Sequence, residues 1–128
     1  MKDILALSSC IADYLETNGV GTQGADLFIT QLPETPQTGT VVAMTGGPVI
    51  AADPTRWITF QIQHRNPNAE EGLRKAQGIN NLLNNQWNVV PGFPGRVEAA
   101  SEAGAAFKDA SGNFIYPLNY VVVSTTQR

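Results

Sequence analysis

Few residues in this 128-residue chain are of a type that could do chemistry. His64 is the only histidine and Cys10 the only cysteine, so one chain can assemble neither a zinc centre of the usual His/Cys kind nor an internal disulfide. For His64 to act as a general base it would also need a nucleophile and an orienting partner. The sequence flags neither, and His64 reads as the end of a strand. Cys10, set between Leu7 and Ile11, reads as a small buried hydrophobe. The carboxylates Asp53, Glu70, Glu71, Glu98, Glu102 and Asp109 are dispersed over turns and helix starts, where they favour a helix dipole or simply solvate. Nothing in their spacing favours a metal site built of carboxylates alone. Gly19-Val20-Gly21-Thr22-Gln23-Gly24 spells GxGxxG, yet the dinucleotide fingerprint needs a strand before it and a helix after it. Here the order is reversed, and the stretch reads as a helix-to-strand connection. Gly46-Gly47-Pro48 lacks the Gly-Lys-Ser/Thr ending of a phosphate loop. These readings predict no enzyme, no cofactor and no metal.

Charge and composition narrow the class further. A formal net charge of −3 and a pI near 4.9 argue against a surface built to grip nucleic acid, because that affinity comes mainly from Lys and Arg neutralising phosphates. With 42% hydrophobic and 15% charged residues, the chain can bury one core and is too short for two ordinary domains. A single soluble domain spanning residues 1–128 is expected. The longest apolar runs, such as Tyr120 to Val123, fall far short of the roughly 20 residues a membrane-spanning helix needs, and Met1-Lys2-Asp3 opens no secretory signal. No membrane association is predicted.

The elements follow from periodicity. Ile4, Leu7, Ile11 and Leu15 recur at helical spacing, and Asn18-Gly19 supplies residues that commonly end a helix, which predicts a first helix over roughly Lys2 to Thr17. Leu27 to Thr30 reads as a buried strand closed off by Pro33 and Pro36, and Thr40 to Met44 as a second, ended by Gly46-Gly47-Pro48. Polar residues from Ala52 to Thr55 lead to the next strand. From Arg56 to Arg65 the chain alternates, with Ile58, Phe60 and Ile62 on one face and Thr59, Gln61, Gln63 and Arg65 on the other. One face should pack on helices while the other leaves Gln61, Gln63 and Arg65 available to a neighbour or a lumen. Asn66-Pro67-Asn68-Ala69-Glu70-Glu71 marks a helix start, with Asn68 and Glu71 at capping-box spacing. Leu73, Ala76, Ile79, Leu83 and Trp87 form its stripe, so a second helix is expected over roughly Pro67 to Asn85. Val89 to Gly95 reads as a loop whose Phe93 needs cover. Strands are predicted at Val97 to Ala100, Ala105 to Lys108 and Phe114 to Thr125, with Asp109 to Asn113 as a hairpin connection. Pro117 should interrupt the last of them and leave Tyr120 to Thr126 as the well-paired part.

Several of these segments, in this order, resemble the bacteriophage minor capsid and tail-terminator family. The residues concerned are Asp26 to Ile29, Gln31-Leu32-Pro33-Glu34-Thr35-Pro36, Gly46-Gly47-Pro48, Ile58 to Arg65 leading into a helix, and Tyr116 to Val123. The likeness spans roughly Ile4 to Thr125, and it lies in the order and spacing of the parts. The resemblance implies an α+β domain, with two helices packed on a mixed, mainly antiparallel sheet. It further implies a ring, a homohexamer, at the head-proximal end of the tail tube. There the protein would end tube polymerisation and offer a surface to the head-tail connector protein, as a virion component assembled in the host bacterial cytoplasm. Its partners would be its own copies, the tail tube protein and the connector. Six chains would carry about −18 formal charges, and a negative lumen would let genomic DNA slide without sticking.

In a ring, contacts with adjacent subunits or the tube are expected at the loops Gln31 to Thr38 and Val90 to Gly95; with Arg65 from the polar strand face, the interface candidates are Gln31, Pro33, Glu34, Pro36, Phe93 and Arg65. Trp57 and Trp87 read first as core fillers and second as interface anchors, since aromatics are enriched at interface cores. Other readings compete with the terminator reading. One is a head-completion or connector ring of the neck. A second is a small enzyme or ligand-binding module, which a pocket joining His64 to two carboxylates would revive, and a third is a cytoplasmic adaptor without any virion role, which the absence of the protein from purified particles would favour.

Overall fold

The computed structural model describes residues 6–46, 55–100 and 106–125. Helix α1 (Leu7–Thr17) is followed by β1 (Leu27–Ile29), β2 (Gly39–Gly46), β3 (Thr55–Asn66), helix α2 (Ala69–Leu83), β4 (Gln86–Trp87), β5 (Arg96–Ala99), β6 (Phe107–Lys108) and β7 (Phe114–Thr125). The seven strands form one sheet in the order β1-β2-β3-β7-β5-β4, with β6 also on β7. The β1–β2 pair is parallel and the other pairs are antiparallel. Helix α1 packs on β1 and β2, and α2 on β3, β5 and β7. The expected α+β architecture, two helices on a mixed and mainly antiparallel sheet, is what the structure shows.

Period-two alternation builds the core. Ile58, Phe60 and Ile62 of β3 stand in register with Val122, Tyr120 and Leu118 of β7, and all six are buried beneath the helices. The Phe60 and Tyr120 rings stack at 5.3 Å, an arrangement that adds to the area they remove from water. Leu7, Ile11 and Leu15 of α1 and Ala76, Ile79 and Leu83 of α2 supply the facing stripes. Tyrosines bring their hydroxyls into this layer only because each finds an acceptor. Tyr120 donates to Asn80 Oδ1 at 2.9 Å, Tyr116 to the Ala69 carbonyl at 2.5 Å and Tyr14 to the Leu82 carbonyl at 2.7 Å. Burial raises the pKa of the Tyr120 hydroxyl well above its usual value.

The helix ends are set locally. Asn68 caps α2, its side chain accepting from the Glu71 amide at 2.9 Å, so Pro67 sits just before the cap and not inside the first turn. Helix α1 closes at Asn18, with Gly19 at φ 80°. Its expected start at Lys2 lies outside the described residues, as do most of the Gly46-Gly47-Pro48 turn, the approach to β3 over 52–54 and the start of the strand placed at Ala105.

Three expectations are corrected. Helix α2 stops at Leu83, because Asn84 is extended and Asn85 is left-handed at φ 58°. Trp87 therefore leaves the helical stripe for the short strand β4, which asparagines tie to β5: the Asn84 side chain accepts from Ala99 N at 2.9 Å and that of Asn88 from Gly95 N at 2.8 Å. Pro117 does not interrupt β7, which pairs with β3 without a break from Asn66↔Phe114 to Thr55↔Thr125. On its other side β7 is paired at Phe114 and Ile115 by β6 and from Tyr120 to Val123 by β5. Pro117 falls between those two stretches, where a missing N–H costs no ladder bond. Phe93 is 1% exposed. Its loop folds inward, and the chain's own core supplies the cover.

Candidate interaction surface

Alternation along β3 places Arg65 on the side of the sheet away from both helices. A loop, residues 30–38, folds over it. Arg65 is 7% exposed, and it donates from Nε to the Gln37 carbonyl at 3.0 Å and from Nη2 to the Pro33 and Pro36 carbonyls, each at 2.5 Å. Burying a guanidinium is costly unless its donors are met; here carbonyls of one loop meet three of the five. Arg65 is thus not the open side chain that its place on the polar face suggested. It is the floor to which the loop is fastened. Gln31, Pro33, Glu34 and Pro36 are all exposed on that loop, so the structure brings four of the six sequence candidates together, with Arg65 beneath them. Phe93 belongs to the core and not to this surface.

Beside the loop, the same side of the sheet carries a ladder of neutral amides. Gln63 Nε2 donates to Gln61 Oε1, and Gln61 Nε2 to Asn119 Oδ1, both at 2.9 Å. Thr30, Gln31 and Leu32 wall a basin of about 330 Å³ floored by Val41, Ala43, Gln61, Gln63 and Ile115. Gly39 permits the approach of the loop, since a Cβ there would stand 3.1 Å from Leu32 Cδ1.

At the opposite end of this face lies an aromatic row. In-register partners run Trp57↔Val123, Val123↔Arg96 and Arg96↔Trp87 across β3, β7, β5 and β4, and cross-strand partners share a face. Trp57 is 43% and Trp87 64% exposed, which overturns their reading as core fillers. The phase of β3 carried the signal for Trp57, which alternates with Thr59 and Gln61 and not with Phe60. For Trp87 the signal was Asn84, Asn85 and Asn88, turn-forming residues on both sides of it. The Arg96 guanidinium sits 5.5 Å from the Trp87 ring and pairs with Glu98 at 3.0 Å. Its Nε is buried without an acceptor among the described residues.

His64, one residue before Arg65, points to the helix side and is 1% exposed. The Asn66 side-chain oxygen accepts from Asn68 N at 2.9 Å, which leaves its Nδ2 to donate to His64 Nε2 at 3.3 Å. Nε2 is then the acceptor, so the ring carries its proton on Nδ1 and donates it to Thr40 Oγ1 at 2.9 Å. Burial, reinforced by the Lys75 charge, pushes the pKa of His64 down to about 4. A hydroxyl and an amide hold this imidazole, in place of the two carboxylates that a catalytic reading called for. Asp109, also among the dispersed carboxylates, serves its own turn: it accepts from the Ser111 and Asn113 amides at 2.9 Å, bonds that lower its pKa. Glu70 is paired with Arg74 on the solvent side of α2.

Comparison with known proteins agrees with the order of segments. Curated proteins give no match. The family model described as "Bacteriophage tail terminator protein" matches residues 14–126, which takes in all seven strands, the whole of α2 and the end of α1. The chain belongs to the bacteriophage tail terminator protein family.

Proposed function

We propose that this protein closes the head-proximal end of a phage tail tube as a homomeric ring of about six copies. In this reading it ends tube polymerisation, gives the head-tail connector its docking surface, and works as a virion component assembled in the host cytoplasm. The task is mechanical, fulfilled by complementary shape at two different interfaces and without covalent chemistry. Family membership sets the frame. The observation that supports a docking role within it is the loop over Arg65, whose backbone is fastened from below while Gln31, Pro33, Glu34 and Pro36 stay exposed. A preordered loop loses less entropy on docking than a loose one. The net charge of −3 per chain suits a lumen through which DNA passes without binding.

The test is polymerisation of cognate tail tube protein with and without this protein, followed by electron microscopy of tube lengths. Tubes of limited length carrying a ring at one end are the expected result. Tubes that grow unchecked while the protein is found on portal or connector assemblies would transfer it to another ring of the neck.

A further inference from the structure

Arg65 carries a full charge at 7% exposure, and among the described residues no carboxylate pairs with it. The ion pairs there are Arg74 with Glu70 and Arg96 with Glu98. Asp109 feels Arg65 less than it feels the Asn113 and Ser111 amides, and its oxygens are taken by that turn. A buried cation without an anion is costly. The loop carbonyls offset part of the cost through Nε and Nη2, which leaves the two N–H groups of Nη1 with no acceptor among the described residues.

Nη1 is nevertheless not sealed off. Among the described residues the side-chain polar atom that is both buried and unmet is Arg96 Nε, so Nη1 reaches open space. The opening that Arg65 borders is the basin of about 330 Å³ beside the loop. Leu32, Val41 and Ala43 give it an apolar wall, Gln61 and Gln63 bring neutral amides, and no acidic residue lines it. Each of those amides has a second N–H besides the one it spends along the ladder.

One unmatched positive charge next to an apolar wall suits a singly charged anion on an apolar stem. Phosphate, nearer to two charges, would leave an excess that such a wall cannot solvate. A carboxylate matches the charge, and its oxygens make short charge-assisted bonds with a guanidinium. A cavity of about 150 Å³ takes up benzene, so the basin has room for a short aliphatic acid. We infer that the basin beside Arg65 is a carboxylate-binding site, in which the acid accepts from Nη1 while its methylenes lie against Leu32, Val41 and Ala43. Nothing in this assignment requires a ring.

The probe is propionate, which has the shape of a glutamate side chain, titrated into the full chain at constant ionic strength and followed by NMR of the Arg65 guanidinium and the Gln61 and Gln63 side-chain amides. Saturable shifts at these groups are expected with propionate and not with the neutral isostere propionamide. Loss of Arg65 would also free the loop, so the variant is Gln63→Glu, which sets a carboxylate on the same face. It should melt no lower than the parent at pH 7 and bind propionate at least about tenfold more weakly, because the place beside the cation is filled and a second anion is repelled. Absent shifts, equal shifts with propionamide, or undiminished binding to Gln63→Glu would overturn the assignment. Sedimentation and tube capping by the same variant then identify the source. Weakened self-association puts the acid on another copy, weakened capping alone puts it on the tube, and no change in either leaves a free carboxylate as the ligand. A parent chain that binds propionate but never caps tubes keeps the site and loses the terminator role.

Discussion

On the helix side of β3, His64 is buried as a neutral ring, held by Thr40 and Asn66 and kept from its proton by its surroundings. One residue later, on the other side, Arg65 is buried as a full charge and held by the carbonyls of a loop. Both are nearly inaccessible, and both sit where the strand period puts them. What differs is the cover. Helices bring apolar side chains, which exclude charge; a loop brings carbonyls, which welcome it. Burial on the helix side therefore serves global stability, whereas on the loop side it fixes a surface that would otherwise wander.

The first way to break this contrast is to empty one side. Phe60→Ala should destabilise the protein by about 3–5 kcal/mol, as large-to-small changes in a packed core do, while Gln63→Ala, three residues along on the loop side, should cost about 1 kcal/mol or less. Urea unfolding of the two variants compares them directly, and similar losses would mean that the two sides carry equal weight.

His64 sharpens the contrast through pH. Its folded pKa is pushed down to about 4, below the unperturbed value near 6.5, so between those values the unfolded chain takes up a proton that the native state refuses. Stability is complete above pH 6.5 and is lost as pH falls through this window, by roughly 3 kcal/mol from this group. His64→Gln should thus cost most near pH 7 and little at pH 4. A cost independent of pH would show that the imidazole is not held neutral.

A smaller effect than that of His64 concerns Arg65. Lysine keeps the charge but loses the planar fork that reaches several carbonyls at once, so Arg65→Lys should cost about 1–2 kcal/mol. Amide exchange in residues 31–38 should accelerate while that of β3 and β7 stays protected. Unchanged exchange in the loop would show that it needs no fastening.

Legibility in the sequence followed the range of each interaction. The alternation of Ile58, Phe60 and Ile62, the Asn68 cap and the Asn18-Gly19 stop act within a few residues, and the structure places them as read. Arg65 was put on the right face but given the wrong exposure, since its cover comes from a loop some thirty residues earlier in the chain. Phe93 failed for the same reason: loop composition does not say which way a loop folds. The two residues of β4 are too short to show any period, and Trp87 completed the helical stripe by coincidence. The place of Pro117 depends on which neighbours flank β7, a property of sheet order and not of β7 itself.

The long β3–β7 ladder has a bearing on how the protein comes into being. Its partners run from Asn66↔Phe114 to Thr55↔Thr125, so the middle of the sheet is made of segments with two-fifths of the chain between them. Closing that span delays the reward of pairing, and folds dominated by such distant contacts form in milliseconds to seconds. Until a ribosome has released β7, β3 is an open edge bearing Ile58, Phe60 and Ile62, a template for any other nascent copy nearby. The chain is thus most prone to uncontrolled association before its own last strand arrives.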